Sequence, residues 1–337
     1  MSSPTSLLHR LQALCLGLTL AATSSSAFAQ DKVQFLLDFL PSGEFAAYYG
    51  GVAKGFFKEQ QIDLTISRGY GGGDTVAKVA AGAAPFGIAD ISATLAGSAK
   101  GGMPVKILSS MYVFSPHSMF VLESSNIKSL KDLTGKRIGI TPGNSHKLYF
   151  PEVAKRVGID ESKVQWVNVD GASMATLLIS KQLDAAPFFA IHYYYVNKAA
   201  VAQGQKIVAL PFVETGFTIY SSVLFSNENT IKTNPDLVRR FLTAAWKSVR
   251  WARENPEEAC SLHVKQNPEV KQDDCVGSLT AVNGYVFNEF SQKIGLGKFE
   301  EARLEATWKE VVKAQELDPA FDYKKVFNLT LLPATEK

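Results

Sequence analysis

Val33-Gln34-Phe35-Leu36-Leu37-Asp38, followed at once by Phe39-Leu40-Pro41-Ser42-Gly43-Glu44, sets the architecture of this chain. The first six residues form an apolar run of strand length. The next six contain proline and glycine, which break the run into a turn. A strand that opens into a loop of mixed aromatic and acidic side chains has the make-up of a ligand-bearing edge rather than a scaffold. Downstream, Phe45 to Lys58 is expected to be helical, burying Ala46, Ala47, Tyr49 and Ala53. Asp63 to Ile66 returns as a strand, and Gly69 to Gly73 is a glycine-rich turn. Asp74-Thr75 caps a helix over Val76 to Ala81. Phe86-Gly87-Ile88-Ala89 is a short buried strand, with Asp90 and Ser92 at the start of another helix. Val105 to Val113 is a further strand. This alternation of strand and helix is that of an α/β protein.

At Ser115-Pro116-His117 the chain is interrupted, then resumes as Met119-Phe120-Val121-Leu122, which suggests a crossing between two units. The second unit repeats the alternation. Ser129-Leu130-Lys131-Asp132 resembles a capping box with Asp in place of Glu. Lys136 to Ile140 is a strand, and Thr141-Pro142-Gly143-Asn144-Ser145 opens the next helix. Val164 to Val169 is a strand, Ser173 to Ser180 a helix, and Asp184-Ala185-Ala186 enters a short strand. Ile219 to Phe225 crosses back, and the remainder is helical. Asn234-Pro235-Asp236 starts a helix that buries Leu237, Phe241, Ala245, Val249 and Ala252. Asn255-Pro256 starts another by the same chemistry. Two α/β lobes joined by two crossings make a cleft protein that closes by hinge motion. The expected division is residues 30–116 with 221–337 in lobe 1, including the C-terminal helices, and 117–220 in lobe 2.

At the amino end, His9 and Arg10 precede an apolar run over Leu11 to Ala22, and Ala27-Phe28-Ala29 has the small-x-small pattern of a cleavage site. Residues 1–29 are therefore expected to be a secretory signal. The run is too short to span a bilayer, so the mature chain is expected not to be membrane-spanning. Cys15, preceded by the bulky Leu14, belongs to the discarded segment. The 337 residues are 46% hydrophobic, ample for more than one domain. Loss of Arg10 lowers the formal charge from +3 to about +2. With no basic block, nucleic-acid binding is disfavoured. Cys260 and Cys275 remain; in an oxidising compartment they pair most simply, a loop contributing roughly 3 kcal/mol. Two free buried thiols are the alternative. Only His263 lies near them, so zinc is not indicated. No cofactor is expected.

The order of these pieces resembles the periplasmic substrate-binding proteins of ABC importers, in the NMT1/THI5-like and SsuA-like branch that groups thiamine-pyrimidine precursor binders with sulfonate binders. The resemblance covers nearly the whole mature chain. It rests on Gly50-Gly51-Val52-Ala53-Lys54-Gly55-Phe56-Phe57-Lys58-Glu59, on Ser129 to Gly139, and on Asn234 to Leu242. It implies a two-lobed type II binding-protein fold, a periplasmic location, and an ABC permease with its cytoplasmic ATPase as partners of a monomer. Departures from the family pattern narrow the ligand. The family's Trp-x-Pro is Phe39-Leu40-Pro41 here, its following histidine falls on Phe45, and an acidic residue of the second lobe falls on Ala190. Lack of that carboxylate argues against a simple aminopyrimidine. In the branch that makes the thiamine pyrimidine from pyridoxal phosphate, a lysine and a histidine fall on Ala89 and Ala93. Its cysteine-rich iron motif falls on Gly216-Phe217-Thr218-Ile219-Tyr220, which holds no cysteine. Alanine forms no Schiff base, so the resemblance implies that this chemistry is lost.

Ligands of open α/β lobes lie at the C-terminal ends of the strands. Phe39 and Tyr49 stand at the first such edge, Phe114 and Tyr220 at the crossings, and Phe188, Phe189 and His192 at the mirror edge of lobe 2. Phe39 and Phe188 follow strands directly and are the expected sandwich for a planar ligand. Gly143-Asn144-Ser145 offers backbone donors at a helix start, suited to a carboxylate or to a plain cap. Asp90 and Ser92 fit either a ligand contact or a cap. Glu44 can meet an amine or ring N–H, or equally stand solvated or touch the permease. His117 and His192 have no triad partner at an identifiable spacing. Gly71-Gly72-Gly73-Asp74 lacks the ending of a nucleotide cradle. The expected function is capture of a small aromatic or heteroaromatic solute for import, with a thiamine precursor or sulfonate as the other ligand class. A periplasmic enzyme acting on a small aromatic substrate in the same cleft is the alternative.

Overall fold

The computed structural model describes residues 30–333. The expected signal segment, residues 1–29, lies outside them. Ten strands form two five-stranded sheets. The first contains β1 (Asp31–Leu36), β2 (Ile62–Ser67), β3 (Phe86–Asp90) and β4 (Val105–Ser110). The second contains β5 (His117–Leu122), β6 (Arg137–Ile140), β7 (Gln165–Asn168), β8 (Ala185–Phe189) and β9 (Ile207–Pro211). Strand β10 (Ser222–Asn227) returns to the first. The orders are β2-β1-β3-β10-β4 and β7-β6-β8-β5-β9. In each sheet three neighbouring strands run parallel, and the strand that follows a crossing, β5 or β10, is inserted antiparallel. The two sheets thus share one topology, and the crossings are residues 111–116 and 212–221.

Local chemistry explains the elements. Strand β1 alternates exposed Lys32 and Gln34 with buried Val33 and Phe35, while β3 is buried at every position, as an interior strand covered on both faces must be. The expected helix from Phe45 to Lys58 is broken: α1 (Ala46–Ala53) ends where Gly55 turns left-handed at φ 80°, and a short turn over Phe56–Glu59 follows. Helix α2 (Gly72–Ala80) starts earlier than Asp74-Thr75 suggests. The Thr75 hydroxyl donates to the Leu37 carbonyl at 2.8 Å instead of capping, so the glycines themselves enter the helix. Helix α3 (Ile91–Gly101) is capped by Asp90, whose side chain accepts from the Ser92 N–H. The Ser129–Asp132 capping box forms as expected, on a 3₁₀ turn. Asn144 caps α4 (Ser145–Val157), and α5 (Tyr193–Val201) follows β8.

The C-terminal helices α6 (Pro235–Glu254), α7 (Pro256–Gln266), α8 (Gln272–Val286) and α9 (Glu301–Gln315) cover the lobes. Helix α6 supplies Phe241, which stacks on Phe86 at 3.9 Å and meets Phe35 edge-on at 5.4 Å. It lies so close to α1 that a Cβ at Gly51 would stand 1.8 Å from the Ser248 hydroxyl; only glycine permits this approach. Cys260 and Cys275 form a disulfide that pins α7 to α8. Across the lobes, Lys198 of α5 pairs with Asp273 and Asp274 of α8, and the Tyr194 ring lies flat against Gly277.

Candidate functional site

The cleft lies between the C-terminal ends of the parallel strands of both sheets. Asp38 and Phe39 follow β1, Thr141 follows β6, and Phe189 ends β8. Its inner chamber, about 50 Å³, is lined by Asp38, Phe39, Glu44, Ser145, His146 and His192 among others, and no lysine or arginine lines it. Two larger spaces share Phe39 as a wall. The floor is close contact between lobes. Gly71 sits at φ 118°, and a Cβ there would be 2.6 Å from the Pro142 carbonyl oxygen.

Three carboxyl groups converge here. Glu44, nearly fully buried, accepts from the Tyr112 hydroxyl at 2.8 Å and lies 3.3 Å from His192 Nε2. Asp38 accepts no hydrogen bond from another side chain among the described residues. Burial, then the nearby Glu44 and Asp90 charges, push its carboxyl well above the usual range. Asp90 is also pushed up by burial, but it accepts from Ser92 N–H (2.9 Å), Ser92 Oγ (2.5 Å), Ser221 Oγ (2.8 Å) and Tyr149 Oη (3.0 Å). These donors come from α3, the second crossing and α4, so Asp90 ties the hinge together and does not line the cleft.

Three imidazoles complete the interior. His117 is fully buried, and burial lowers it to about 3, so it is neutral. The Ser115 hydroxyl lies 2.7 Å from its Nδ1 and the Ser145 hydroxyl 2.9 Å from its Nε2. Histidine 117 therefore does have serine partners, which sequence spacing did not reveal. A Ser-His-Asp triad still does not assemble. Asp90 approaches Nε2 at 3.6 Å, the nitrogen that faces Ser145, and Nδ1 is committed to Ser115. His146 is lowered well below its ordinary value by burial and by His117; its Nδ1 lies 2.9 Å from Asn144 Oδ1 and its Nε2 lies 3.1 Å from the Phe188 carbonyl, two acceptors of which a neutral ring can donate to only one.

The rings are arranged differently from expectation. Phe39 stacks on His192 at 5.6 Å and 24°, and His192 stacks on Phe189 at 6.2 Å and 18°. Phe188 borders the chamber, but its ring packs on Phe120 at 5.2 Å in the core of the second sheet. Alternation along β8 sends residues 186 and 188 to that core and 189 to the cleft. The ring facing Phe39 across His192 is thus Phe189. Of the other expected contacts, Asn144 and Ser145 line the inner chamber, and Gly143 lines an adjoining one. Tyr49 borders the outer space and packs on His263 at 4.5 Å. Ser92 is buried as a cap. Phe114 packs on Phe290 beneath the Arg303 guanidinium, and Tyr220 receives the Glu300 N–H and packs on Phe299. Both stand outside the cleft walls, because the crossings run behind it. Asp38 and His146 were not anticipated, although Asp38 follows β1 by the same logic that singled out Phe39.

Two matched lobes of this topology around a polar, aromatic-lined cleft define the periplasmic-binding-protein fold. The family model described as NMT1/THI5 like matches residues 42–259, and the chain belongs to this family. It is 25% identical over 314 residues to the riboflavin-binding protein RibY of Chloroflexus aurantiacus, covering 90% of this chain and 86% of that one. It is equally 25% identical over 252 residues to the 4-amino-5-hydroxymethyl-2-methylpyrimidine phosphate synthase THI11 of Saccharomyces cerevisiae, covering 72% and 73%. Among solved structures, it resembles a ligand-binding component of an ABC-type import system from Staphylococcus aureus at a TM-score of 0.68 and 13% identity, covering 90% and 98%.

Proposed function

We propose that this chain is the periplasmic solute-binding component of an ABC importer, that it is not an enzyme, and that its solute is a small heteroaromatic molecule presenting N–H groups. The inner chamber carries the reading: two carboxyl groups, Asp38 and Glu44, stand beside the stacked rings of Phe39 and His192, with no lysine or arginine. A sulfonate or another anion would meet carboxylates there without a compensating cation, whereas an exocyclic amine or ring N–H would pair with them. The same electrostatics count against the carboxylate-bearing ligand that Gly143-Asn144-Ser145 suggested. Asn144 Oδ1 is spent on the His146 N–H, and the Ser145 hydroxyl faces His117. Riboflavin, which RibY is named for binding, is a heteroaromatic solute of this class.

Non-enzymatic action is favoured by Ala89 and Ala93. Both sit in a small apolar cluster with Leu36 and Val76, where the synthase branch of the resemblance would place its lysine and histidine. Capture works by closure of residues 30–116 with 221–337 onto residues 117–220, because only the closed form contacts the solute from both lobes. No helix among the described residues is long and apolar enough to cross a membrane; in this reading the solute is delivered to a separate permease. The test is calorimetric titration with aminopyrimidines, riboflavin, aromatic acids, alkanesulfonates and nitrate, paired with small-angle scattering. Binding of an N–H-bearing heteroaromatic, with contraction and unchanged solute recovered, is expected. Binding restricted to sulfonates or nitrate, or conversion of the bound solute, would overturn the reading.

A further inference from the structure

The inner chamber of about 50 Å³ is far smaller than an ordinary ligand site of roughly 300–1,000 Å³. A heteroaromatic ring reaches Asp38 and Glu44 only if a side chain makes way. One side chain already stands where such a ring would. The His192 imidazole, itself a heteroaromatic ring, is stacked on Phe39 at 5.6 Å and on Phe189 at 6.2 Å, and its Nε2 lies 3.3 Å from Glu44 Oε2. Resting on the reading above, we propose that His192 is a resident stand-in for the solute, an autoinhibitory ring that the solute displaces from Phe39 and Glu44.

The contact is built to be broken. Phe39 and Glu44 follow β1 of the first sheet, whereas His192 follows β8 of the second, so opening of the cleft withdraws the imidazole. The ring is also poorly satisfied where it sits. His192 is 4% exposed, yet its Nδ1 is buried with no partner among the described residues, and an unpaired buried polar atom is costly. One acid is left unserved as well. Glu44 Oε1 accepts from Tyr112 and Oε2 faces the imidazole, while Asp38 accepts from no side chain among the described residues. A single ring N–H cannot serve both carboxyls; an exocyclic amine carries two N–H groups and can. That difference sets the specificity. His192 is tethered, at an effective concentration on the order of millimolar, so a free azole with one N–H gains nothing by replacing it. A ring with a second donor does.

The test titrates free imidazole and 4-aminopyrimidine against the wild-type protein and the His192→Ala variant. Imidazole should bind the variant, giving a saturation-transfer NMR signal and a Tm raised by a few degrees at about ten times its Kd. It should leave the wild type unmoved at the same concentration. 4-Aminopyrimidine should bind the variant about tenfold more tightly than the wild type, the factor for a slot that His192 fills about nine-tenths of the time. His192→Asn supplies the same comparison should the alanine variant fail to fold. Imidazole that binds neither protein, or both alike, overturns the displacement even if heteroaromatic solutes bind the wild type. So does 4-aminopyrimidine that binds the wild type and gains nothing on the variant, since His192 is then an ordinary contact. Imidazole that binds the variant alone, while every heteroaromatic of the calorimetric titration fails on both proteins, upholds the displaceable ring and overturns the heteroaromatic reading.

Discussion

Two buried acidic centres sit in the same interlobe region and are built in opposite ways. At the hinge, Asp90 is surrounded by donors from α3, α4 and the second crossing, and its valences are filled. At the cleft, Asp38 has no side-chain donor, and Glu44 has Tyr112 and a distant His192. Both centres are pressed by burial, so desolvation alone does not tell them apart. The difference lies in where the missing partners come from. The protein supplies them to Asp90, which makes that carboxyl part of the fold. Asp38 has backbone donors only and borders the cleft, so in the proposed reading its remaining partner is the solute.

The sharpest way to break this contrast is to remove each acid in turn. Asp90→Ala strips the acceptor from two serine hydroxyls, a tyrosine hydroxyl and a backbone N–H, all buried. Each orphaned donor costs about 1–3 kcal/mol where water does not replace the acceptor. The expected loss of stability is about 3–5 kcal/mol, read as a lowered urea midpoint at constant m-value. A loss below 1 kcal/mol would show that the hinge does not depend on this hub. The cleft side has its own structural prop. The disulfide closes a loop with a sequence separation of 15 and holds α8 against the loop bearing Glu44, where a Cβ at Gly43 would be 2.3 Å from the Cys275 carbonyl oxygen. Cys260→Ser/Cys275→Ser should cost about 3 kcal/mol in the same assay, and alkylation of the unreduced wild type should find no free thiol.

Titration separates the imidazoles from the carboxyls, since Asp38 and Asp90 are both raised by burial while His117 and His146 are lowered. His117 is buried neutral, lowered from 6.5 to about 3, and His146 is lowered in the same direction. Between those values the unfolded chain binds a proton that the folded chain does not. Their contribution is therefore fully present above pH 6.5 and is lost as pH falls, at about 1.4 kcal/mol per pH unit for each group. Asp38 has the opposite sign. Its folded carboxyl is raised above 3.8, so its contribution is present below that value and is lost as pH rises through the folded one. Asp38→Asn should accordingly raise Tm at pH 7.5, with the gain shrinking towards pH 4, while ligand affinity falls. A stability profile flat between pH 7 and 5 would contradict the neutral histidines.

Much of this was legible in the sequence where the cause is local. The strand–turn at residues 33–44, the Ser129 capping box and the Asn234 cap depend on neighbours within a few positions, and they form as expected. The start of α2 was misplaced because Thr75 finds its acceptor at Leu37, a contact between segments distant in sequence. The site was half legible for the same reason. Phe39, Glu44, Asn144, Ser145 and His192 stand on its walls, but the convergence of Asp38, Glu44 and Asp90 joins the ends of β1 and β3 to a loop between them. Phe188 and Phe189 both border the chamber, and strand alternation sends the Phe188 ring to the core and leaves Phe189 against His192. That register was fixed by pairing of β8 with β5, not by the local apolar run.

The smallest expected effect bears on Phe39, the ring shared by the inner chamber and the outer spaces. It is only partly buried, and it stacks on His192 from the opposite lobe at 5.6 Å. An aromatic pair contributes about 0.5–1.5 kcal/mol beyond area burial. Phe39→Ala should therefore leave the urea midpoint close to that of the wild type while weakening solute binding several-fold. Phe188→Ala should do the reverse, because its ring is core: a stability loss of about 3–5 kcal/mol with binding by the folded fraction little changed. Phe189→Ala supplies the remaining arm and should resemble Phe39→Ala. Should Phe188→Ala weaken binding more than Phe189→Ala does in fully folded protein, the cleft-facing ring has been assigned to the wrong face of β8. The line between residues that hold the fold and residues that wait for a solute would then have to be redrawn on the second lobe.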